Sequence, residues 1–346
     1  MRPISLITGI TGQDGSILSR LLLGKGHKVH GIIRRSSSFN TNRIDDLIES
    51  KIYDQDFFLH YGDLTDSGNL DRLISEIKPQ YLFNLGAMSH VKVSFEVPEY
   101  TAQVDGIGVL RVLDAIYKYY PECRFYQAST SELYGGIPSE MPSNGYDETS
   151  DFHPRSPYGA AKLYGYWITK NYREAYNLFA SNGILFNHTS FYRGPTFVSK
   201  KIVSWCAQWY KNNQIQPLQL GNLNAKRDFG HALDFCRAMI LIMEHDRPDD
   251  WVIATGETHT IKEFVNSCFD WMNKKIEWTG TGLDEKGICD GKIVVEINER
   301  YFRPSEVELL LGNSTKARTI LGWKPQYDFI SLVDDMMSNE IKNQRG

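Results

Sequence analysis

Ile4-Ser5-Leu6-Ile7-Thr8-Gly9-Ile10-Thr11-Gly12-Gln13-Asp14-Gly15 is the stretch on which the fold turns. The short apolar run Ile4 to Ile7, ending in Thr8-Gly9, reads as a buried strand followed by a turn. From Gln13 to Leu23, the residues Ile17, Leu18, Leu21 and Leu22 recur at helical spacing, and Gly24 and Gly26 stop the helix. Between strand and helix the three glycines are spaced three and three. Small residues there let backbone N–H groups approach a pyrophosphate, while the helix N-terminus adds partial positive charge. The spacing is GxxGxxG rather than GxGxxG, so the glycines alone also fit a merely structural turn. Their place after the first strand of an α/β chain is what points to a dinucleotide.

Working outward, Val29–Ile33, Phe57–Tyr61, Tyr81–Leu85 and Arg124–Ala128 read as further strands, with a helix near Asn69–Ile77. Short apolar strands alternating with helices imply a Rossmann-like α/β fold, a doubly wound parallel sheet covered on both faces. After about residue 185 the alternation loosens, and six tryptophans (Trp205, Trp209, Trp251, Trp271, Trp278 and Trp323) fall in that part. The expected division is a dinucleotide-binding domain over 1–185 and a smaller C-terminal α/β substrate-binding lobe over 186–346. Segments near 226–255 and 300–320 are expected to return to the first domain. The Ser36-Ser37-Ser38 run and Gly135 to Ser150 read as loops, and there are no repeats or low-complexity stretches.

The chain's 346 residues are about twice a typical domain length. Hydrophobic and charged fractions of 41% and 23% fit an ordinary globular protein. With 38 basic and 42 acidic side chains the formal charge is 38 − 42 = −4. No broad electrostatic footprint for nucleic acid or an anionic membrane exists, so neither is expected as a partner. Five scattered cysteines without a CxxC pair argue against disulfides or a zinc site and for reduced thiols in the cytoplasm. No apolar run reaches the roughly 18 residues that would span a bilayer.

Four groups carry chemistry. Arg34-Arg35 close the second strand where an NAD site would favour an acid; two guanidiniums instead suit the 2′-phosphate of NADP. Asp63, after the third strand, reads as an acceptor for the adenine amino group or as a helix cap. Tyr158 and Lys162 lie four apart on one helix face. A nearby ammonium favours phenolate, so Tyr158 is expected to move down from near ~10 and to take a hydroxyl proton while hydride leaves the same carbon for nicotinamide. Lys162 can also hold the nicotinamide ribose. Thr130 and Glu132, at the end of the fifth strand, should face the same cleft as Tyr158, because ligands sit beyond the carboxyl ends of such strands. Thr130 is a candidate partner of a sugar hydroxyl, and Glu132 a candidate base for a carbon acid beside a carbonyl, which a simple alcohol dehydrogenase does not need.

Taken together, Ile7 to Gly15, Arg34 to Asn40, Ser129 to Gly135, Ser156-Pro157-Tyr158, Asn182 to His188, Gly221 to Asp228, Ala254 to His259 and Tyr301 to Pro304 resemble one family. It is the extended short-chain dehydrogenases/reductases, and within them the GDP-mannose 4,6-dehydratases. The resemblance runs over almost the whole chain. It implies an internal hydride cycle on a GDP-sugar with NADP, giving a GDP-4-keto-6-deoxy sugar and water. Carried over residue by residue, it implies a cofactor site of Gly9, Ile10, Thr11, Gly12, Gln13, Asp14, Gly15, Arg34, Arg35, Ser36, Arg43, Asp63, Leu64, Leu85, Gly86, Ala87, Met88, Ser89, Tyr100, Lys162, His188 and Arg193. Ser89, Asn187, Lys201, Arg227, Arg303 and Glu306 would hold the GDP-sugar, with Arg227 and Arg303 the natural pyrophosphate partners. The loop from Arg35 to Arg43 would reach a neighbouring subunit, implying a homotetramer, and no metal is implied.

The departures are local. Where the family commonly reads NHESPRRGETF, this chain reads Asn187-His188-Thr189-Ser190-Phe191-Tyr192-Arg193-Gly194-Pro195-Thr196-Phe197. Thr189 and Pro195 thus replace carboxylates and Tyr192 replaces an arginine, and the loop after Gly135 is about four residues longer. These changes leave a GDP-manno-heptose open beside GDP-mannose as substrate. An NADP-linked nucleotide-sugar epimerase or reductase is the reading from another reaction class; Glu132 beside Thr130 distinguishes the dehydratase from it.

Overall fold

The computed structural model describes residues 2–37, 39–212, 216–302 and 307–343. Seven strands build the main sheet: β1 (Ile4–Thr8), β2 (Lys28–Ile33), β3 (Phe57–Tyr61), β4 (Tyr81–Asn84), β5 (Arg124–Thr130), β6 (Ala180–Leu185) and β7 (Asp250–Ile253). Their order is β7-β6-β5-β4-β1-β2-β3, every pair parallel. The doubly wound parallel sheet expected from the alternation is therefore present. Connections run outward in both directions from the β1–β4 pair, so a crevice opens at the carboxyl ends of these two strands.

Helices cover both faces. On one side α1 (Gln13–Gly24) packs with Ile17, Leu18 and Leu22 against Phe235, Met239 and Met243 of α5 (Ala232–Glu244). Trp251 and Trp323 are buried in this same core. On the other side α2 (Ser67–Ile77) and α3 (Gly108–Tyr119) enclose Leu6, Leu82 and Phe125 together with Tyr172 of α4 (Pro157–Ala175). Local sequence sets the ends. The Asp66 side chain accepts the Asn69 N–H, so α2 starts at Ser67, two residues before the position the apolar spacing gives. Ser156 caps α4 and Pro157 occupies its first turn.

A second core gathers Val198–Asn212, Ile261–Trp271 and Phe329–Asn343 around Trp209, Phe264, Phe269 and Met336. These helices pack on a four-stranded sheet in the order Glu277–Thr279, Lys286–Cys289, Lys292–Ile297, Leu218–Leu220. Gly135 to Ser150 contains no helix or named strand; it is anchored to the distant chain by a bridge from Tyr146 to Gly312 and by the Val252 N–H, which donates to Glu148 at 2.7 Å. Among the described residues, no helix is long and apolar enough to cross a membrane.

The outer strand β7 is tied in by a buried polar cluster. Arg173 donates to both carboxylate oxygens of Asp250 at 3.0 and 2.8 Å, and Asn182 and the Tyr166 hydroxyl add bonds of 2.9 Å each. Burial alone would raise the Asp250 carboxyl, but Arg173 and these donors hold it below the ordinary carboxylate range. Its contribution is thus present above the unfolded pKa near ~4 and is lost as pH falls through the lower folded value. Asp250→Ala strands a buried guanidinium and should cost about 3–5 kcal/mol. Urea unfolding at neutral pH checks this, and the deficit should shrink in acid.

Candidate active site

The crevice is a cleft of about 1100 Å³, somewhat above the roughly 300–1,000 Å³ usual for one small ligand. Its floor is the turn after β1. Gly9 sits at φ +69°, and a Cβ there would lie 2.8 Å from the Gly86 nitrogen in the loop after β4. The Gly12 N–H donates to the Gly9 carbonyl at 3.0 Å, and a Cβ on Gly15 would lie 2.4 Å from the same oxygen. Gly12 caps α1 with no side chain of its own. The first-turn N–H groups of α1 are left without a side-chain cap, a cradle that fits an anionic diphosphate.

Asp14 does not face the phosphate cradle alone. It accepts from His188 Nε2 at 2.8 Å and from Gln13, while His188 Nδ1 meets the Phe186 carbonyl at 2.8 Å. With acceptors against both ring nitrogens, the Asp14–His188 pair has to hold a proton. Burial pushes the Asp14 carboxyl up, but His188 outweighs it and holds the group below its ordinary value.

Of the remaining expected dinucleotide residues, the structure brings only part into this cleft: Ile10, Arg34, Arg35, Ser36, Asp63, Leu64, Met88 and Tyr100 are not among its lining residues. Leu85, Gly86, Ala87 and Ser89 line the cleft beyond β4, and the Gly86 N–H donates to Thr8 Oγ1 at 2.9 Å. Arg34 and Arg35 are exposed just beyond β2; Arg34 donates to the Tyr100 hydroxyl at 2.5 Å and Arg35 lies 5.8 Å over the Tyr61 ring. Ser36 follows them, also exposed. Arg43 bridges the Tyr192 and Thr11 carbonyls at 2.6 and 3.3 Å. Asp63 folds its carboxylate back onto the Thr65 N–H and hydroxyl, and Leu64 is buried behind it.

Across the cleft, β5 extends two residues past Ala128, to Thr130. Thr130 then caps a short turn, its hydroxyl oxygen accepting the Glu132 N–H at 3.3 Å. Tyr158 stands in the first turn of α4, and Lys162 one turn later reaches the Ala128 carbonyl at 3.0 Å. Thr130, Glu132, Tyr158 and Lys162 are all buried, and all line the cleft that holds the glycine turn. Thr130 lies near enough to the Tyr158 phenol to favour its ionised form.

One electrostatic expectation is corrected. Burial first, then Asp105 and Glu132, push the Tyr158 phenol up from its ordinary value, against Thr130 and Arg193, which favour phenolate. Lys162 lies 5.8 Å from the Tyr158 ring centre and shares its charge with Asp105 and the Ala128 carbonyl instead. Burial pulls Lys162 below its usual range and Asp105 acts in the opposite sense.

Of the expected sugar-binding residues, Ser89, Asn187, Lys201 and Arg227 line the cleft. Asn187 Oδ1 is buried without a partner. Lys201 donates to the Gln219 carbonyl at 2.5 Å and sits 3.4 Å over the Tyr301 ring. Arg303 and Glu306 lie outside the described residues. Arg193 stacks 3.8 Å over Phe197. In the altered stretch, Thr189 is buried with its hydroxyl 2.8 Å from Ser199 Oγ, Tyr192 packs near Arg20, and Pro195 is exposed at the rim. Among the described residues no cluster of His, Cys, Asp or Glu could hold a metal ion.

Sequence reading missed Asp105, which is 1% exposed and acts electrostatically on both Tyr158 and Lys162. The signal was a lone acid among Val104, Ile107 and Val109.

Gly15→Ala should lower stability by about 1–3 kcal/mol, because backbone rather than a flexible side chain must give way. The folded variant should bind a nicotinamide dinucleotide at least about tenfold more weakly by calorimetry, about 1.4 kcal/mol.

A family model described as GDP-mannose 4,6 dehydratase matches residues 6–336. Human GDP-mannose 4,6 dehydratase is 52% identical over 350 residues, spanning 99% of this chain and 93% of its own. Among solved structures, UDP-glucose 4-epimerase from Thermotoga maritima superimposes with a TM-score of 0.81 at 21% identity over 99% of each chain. The dTDP-glucose 4,6-dehydratase from Bacillus anthracis, in complex with NAD, gives 0.81 at 20% identity over 99% of this chain and 98% of its own. At such identities these two structures share the fold.

Proposed function

The chain belongs to the GDP-mannose 4,6-dehydratase family and is a nucleotide-sugar 4,6-dehydratase, and from that premise we propose that it converts GDP-D-mannose to GDP-4-keto-6-deoxy-D-mannose and water on tightly bound NADP. The observation that carries this reading is the convergence of Thr130, Glu132 and Tyr158 in the same cleft as the uncapped glycine turn.

Tyr158 accepts the O4 proton while Thr130, on the same wall of the cleft, orients that hydroxyl. The bound nicotinamide supplies the acceptor for the C4 hydride and the donor that returns it to C6. With a ketone at C4 the C5–H becomes acidic; Glu132 takes that proton and passes it to the C6 hydroxyl, which leaves as water, and the proton held by Tyr158 returns to C5 as C6 receives its hydride. Lys162 binds the nicotinamide ribose, the glycine turn the pyrophosphate, and Asp63 the adenine. Ser89, Asn187, Lys201, Arg227, Arg303 and Glu306 hold the GDP-sugar; the unpartnered buried Asn187 oxygen supports that role. Arg193 and His188 close the cofactor side.

NADP rather than NAD is our reading of Arg34 and Arg35, which follow β2 where no acid stands. A homotetramer is supported by Phe39, fully exposed at 104% between Arg35 and Arg43, and by exposed Tyr117, Tyr164 and Trp167 on α3 and α4. Five free, buried cysteines support a reducing, cytoplasmic setting. A GDP-manno-heptose is the second reading, favoured by Thr189 and Pro195, two uncharged residues lining the cleft.

Incubation of the purified protein with GDP-mannose and, separately, with a GDP-manno-heptose tests the reading; loss of one water without net NADPH consumption supports it, and steady NADPH oxidation overturns it. With sugar deuterated at C4, the label should appear in the product methyl group. Glu132→Gln should lower water loss by about 10²–10⁴-fold while leaving oxidation at C4 detectable as reduced nicotinamide absorbance. Replacing Arg34 and Arg35 with alanine should weaken NADP binding far more than NAD binding in calorimetric titrations.

A further inference from the structure

Asp105 is almost fully buried, yet it stands beside the reacting groups and takes no part in the steps above. Its Oδ1 accepts the Met88 N–H at 2.7 Å, and its Oδ2 has no hydrogen-bond partner. It lies in Gln103–Ile107, a single π-helical turn directly before α3. Such turns are rare and occur often at functional sites. Two close approaches seat this turn on α4. A Cβ on Gly106 would lie 3.3 Å from the Ala161 carbonyl, and a Cβ on Gly165 would lie 3.1 Å from the Asp105 carbonyl. Ala161 precedes Lys162, so the turn meets α4 at the level of the Tyr158–Lys162 pair.

The surroundings explain which charge the carboxylate answers. From α4 it faces the field of Lys162 and of Tyr158. The loop after β4 offers the Met88 N–H, and Arg111 of α3 is tied by exposed bonds to Gln103. A structural task, holding the Met88 N–H, needs an oxygen acceptor but no charge; an asparagine would serve equally. The reaction sets a further demand, because Tyr158 must accept a proton and be free of it again before the next turnover.

We propose that Asp105 is a positioning residue of the dehydratase cycle: its buried carboxylate, on the turn seated against α4 at the level of Tyr158 and Lys162, supplies the negative charge that sets the pH range in which Tyr158 accepts the O4 proton. This rests on the reaction proposed above. Burial raises the Asp105 carboxyl while Lys162 and the Met88 N–H act to lower it, and the anion raises both Lys162 and Tyr158. Removing the charge should therefore move both partners in the same direction, towards lower pH.

Asp105→Asn keeps the acceptor for Met88 and removes only the charge. Measured with the NADP-loaded enzyme and GDP-mannose from about pH 5 to about pH 10, kcat should fall about tenfold or more with KM changed by less than about threefold. Both limbs of the bell-shaped profile should shift acidward by about one unit. Ultraviolet titration of tyrosinate, differenced against Tyr158→Phe in each background, should show the Tyr158 phenol ionising at lower pH in the Asn variant. Asp105→Glu, which keeps the charge, should return the profile to its wild-type position. An Asn profile that superimposes on wild type, or a Glu variant displaced as far as the Asn variant, overturns the proposal. Wild-type protein that releases no water from GDP-mannose would instead overturn the reaction itself.

Discussion

The site depends on how closely two backbone segments can approach. Gly9 and Gly86 lie so near each other that a side chain on Gly9 would run into the Gly86 backbone, between the turn after β1 and the loop after β4. These loops follow the two strands from which the sheet winds outward in opposite directions. Without a side chain at Gly9 the chain can double back, offer its carbonyl to the Gly12 N–H, and start α1 with open amides. Everything else in the cleft is arranged about that contact. The loop from Leu85 to Ser89 forms one wall, and β5, with Thr130 and Glu132 at its end, delivers the other.

Much of this was legible in the chain. The strand–glycine–helix opening and the apolar strands behind it are local patterns, so they survive translation into structure with shifts of one or two residues. The four-residue spacing of Tyr158 and Lys162 was enough to put them in one cleft with Thr130, because helix period and strand-end position are also local. What was not legible is direction. Lys162 lies near the phenol but bonds the Ala128 carbonyl and shares its field with Asp105, 57 positions earlier (162 − 105). No spacing rule announces a carboxylate arriving from another helix through a π turn. Likewise, Asp63 reads from sequence as an adenine acceptor or a helix cap, and only the fold reveals that one of its carboxylate oxygens also accepts from Thr65, two residues on.

Polar groups also stitch the substrate side to the sheet. Asp228, next to Arg227, accepts from the Thr255 N–H, the Thr255 hydroxyl and the Gly256 N–H at 2.8, 2.7 and 2.9 Å. Burial still wins, and its carboxyl is pushed up to about 6. Arg227 therefore leaves the wall of the cleft from a segment fixed on its other side to the chain that follows β7. Thr189 and Ser199 make a comparable join, hydroxyl to hydroxyl, at the opposite rim.

Two hydrophobic cores share one polypeptide that passes repeatedly between them. The passages lie between 185 and 198, 229 and 232, 253 and 261, 297 and 315, and 323 and 329. A single connection would act as a hinge and let the halves swing; five behave as a weld. Relative motion of the two cores must therefore bend five chain segments at once, which opposes a simple hinge opening of the cleft. For a reaction that parks hydrogen on a carrier and must not lose it to water, a vessel whose halves resist swinging apart is an asset.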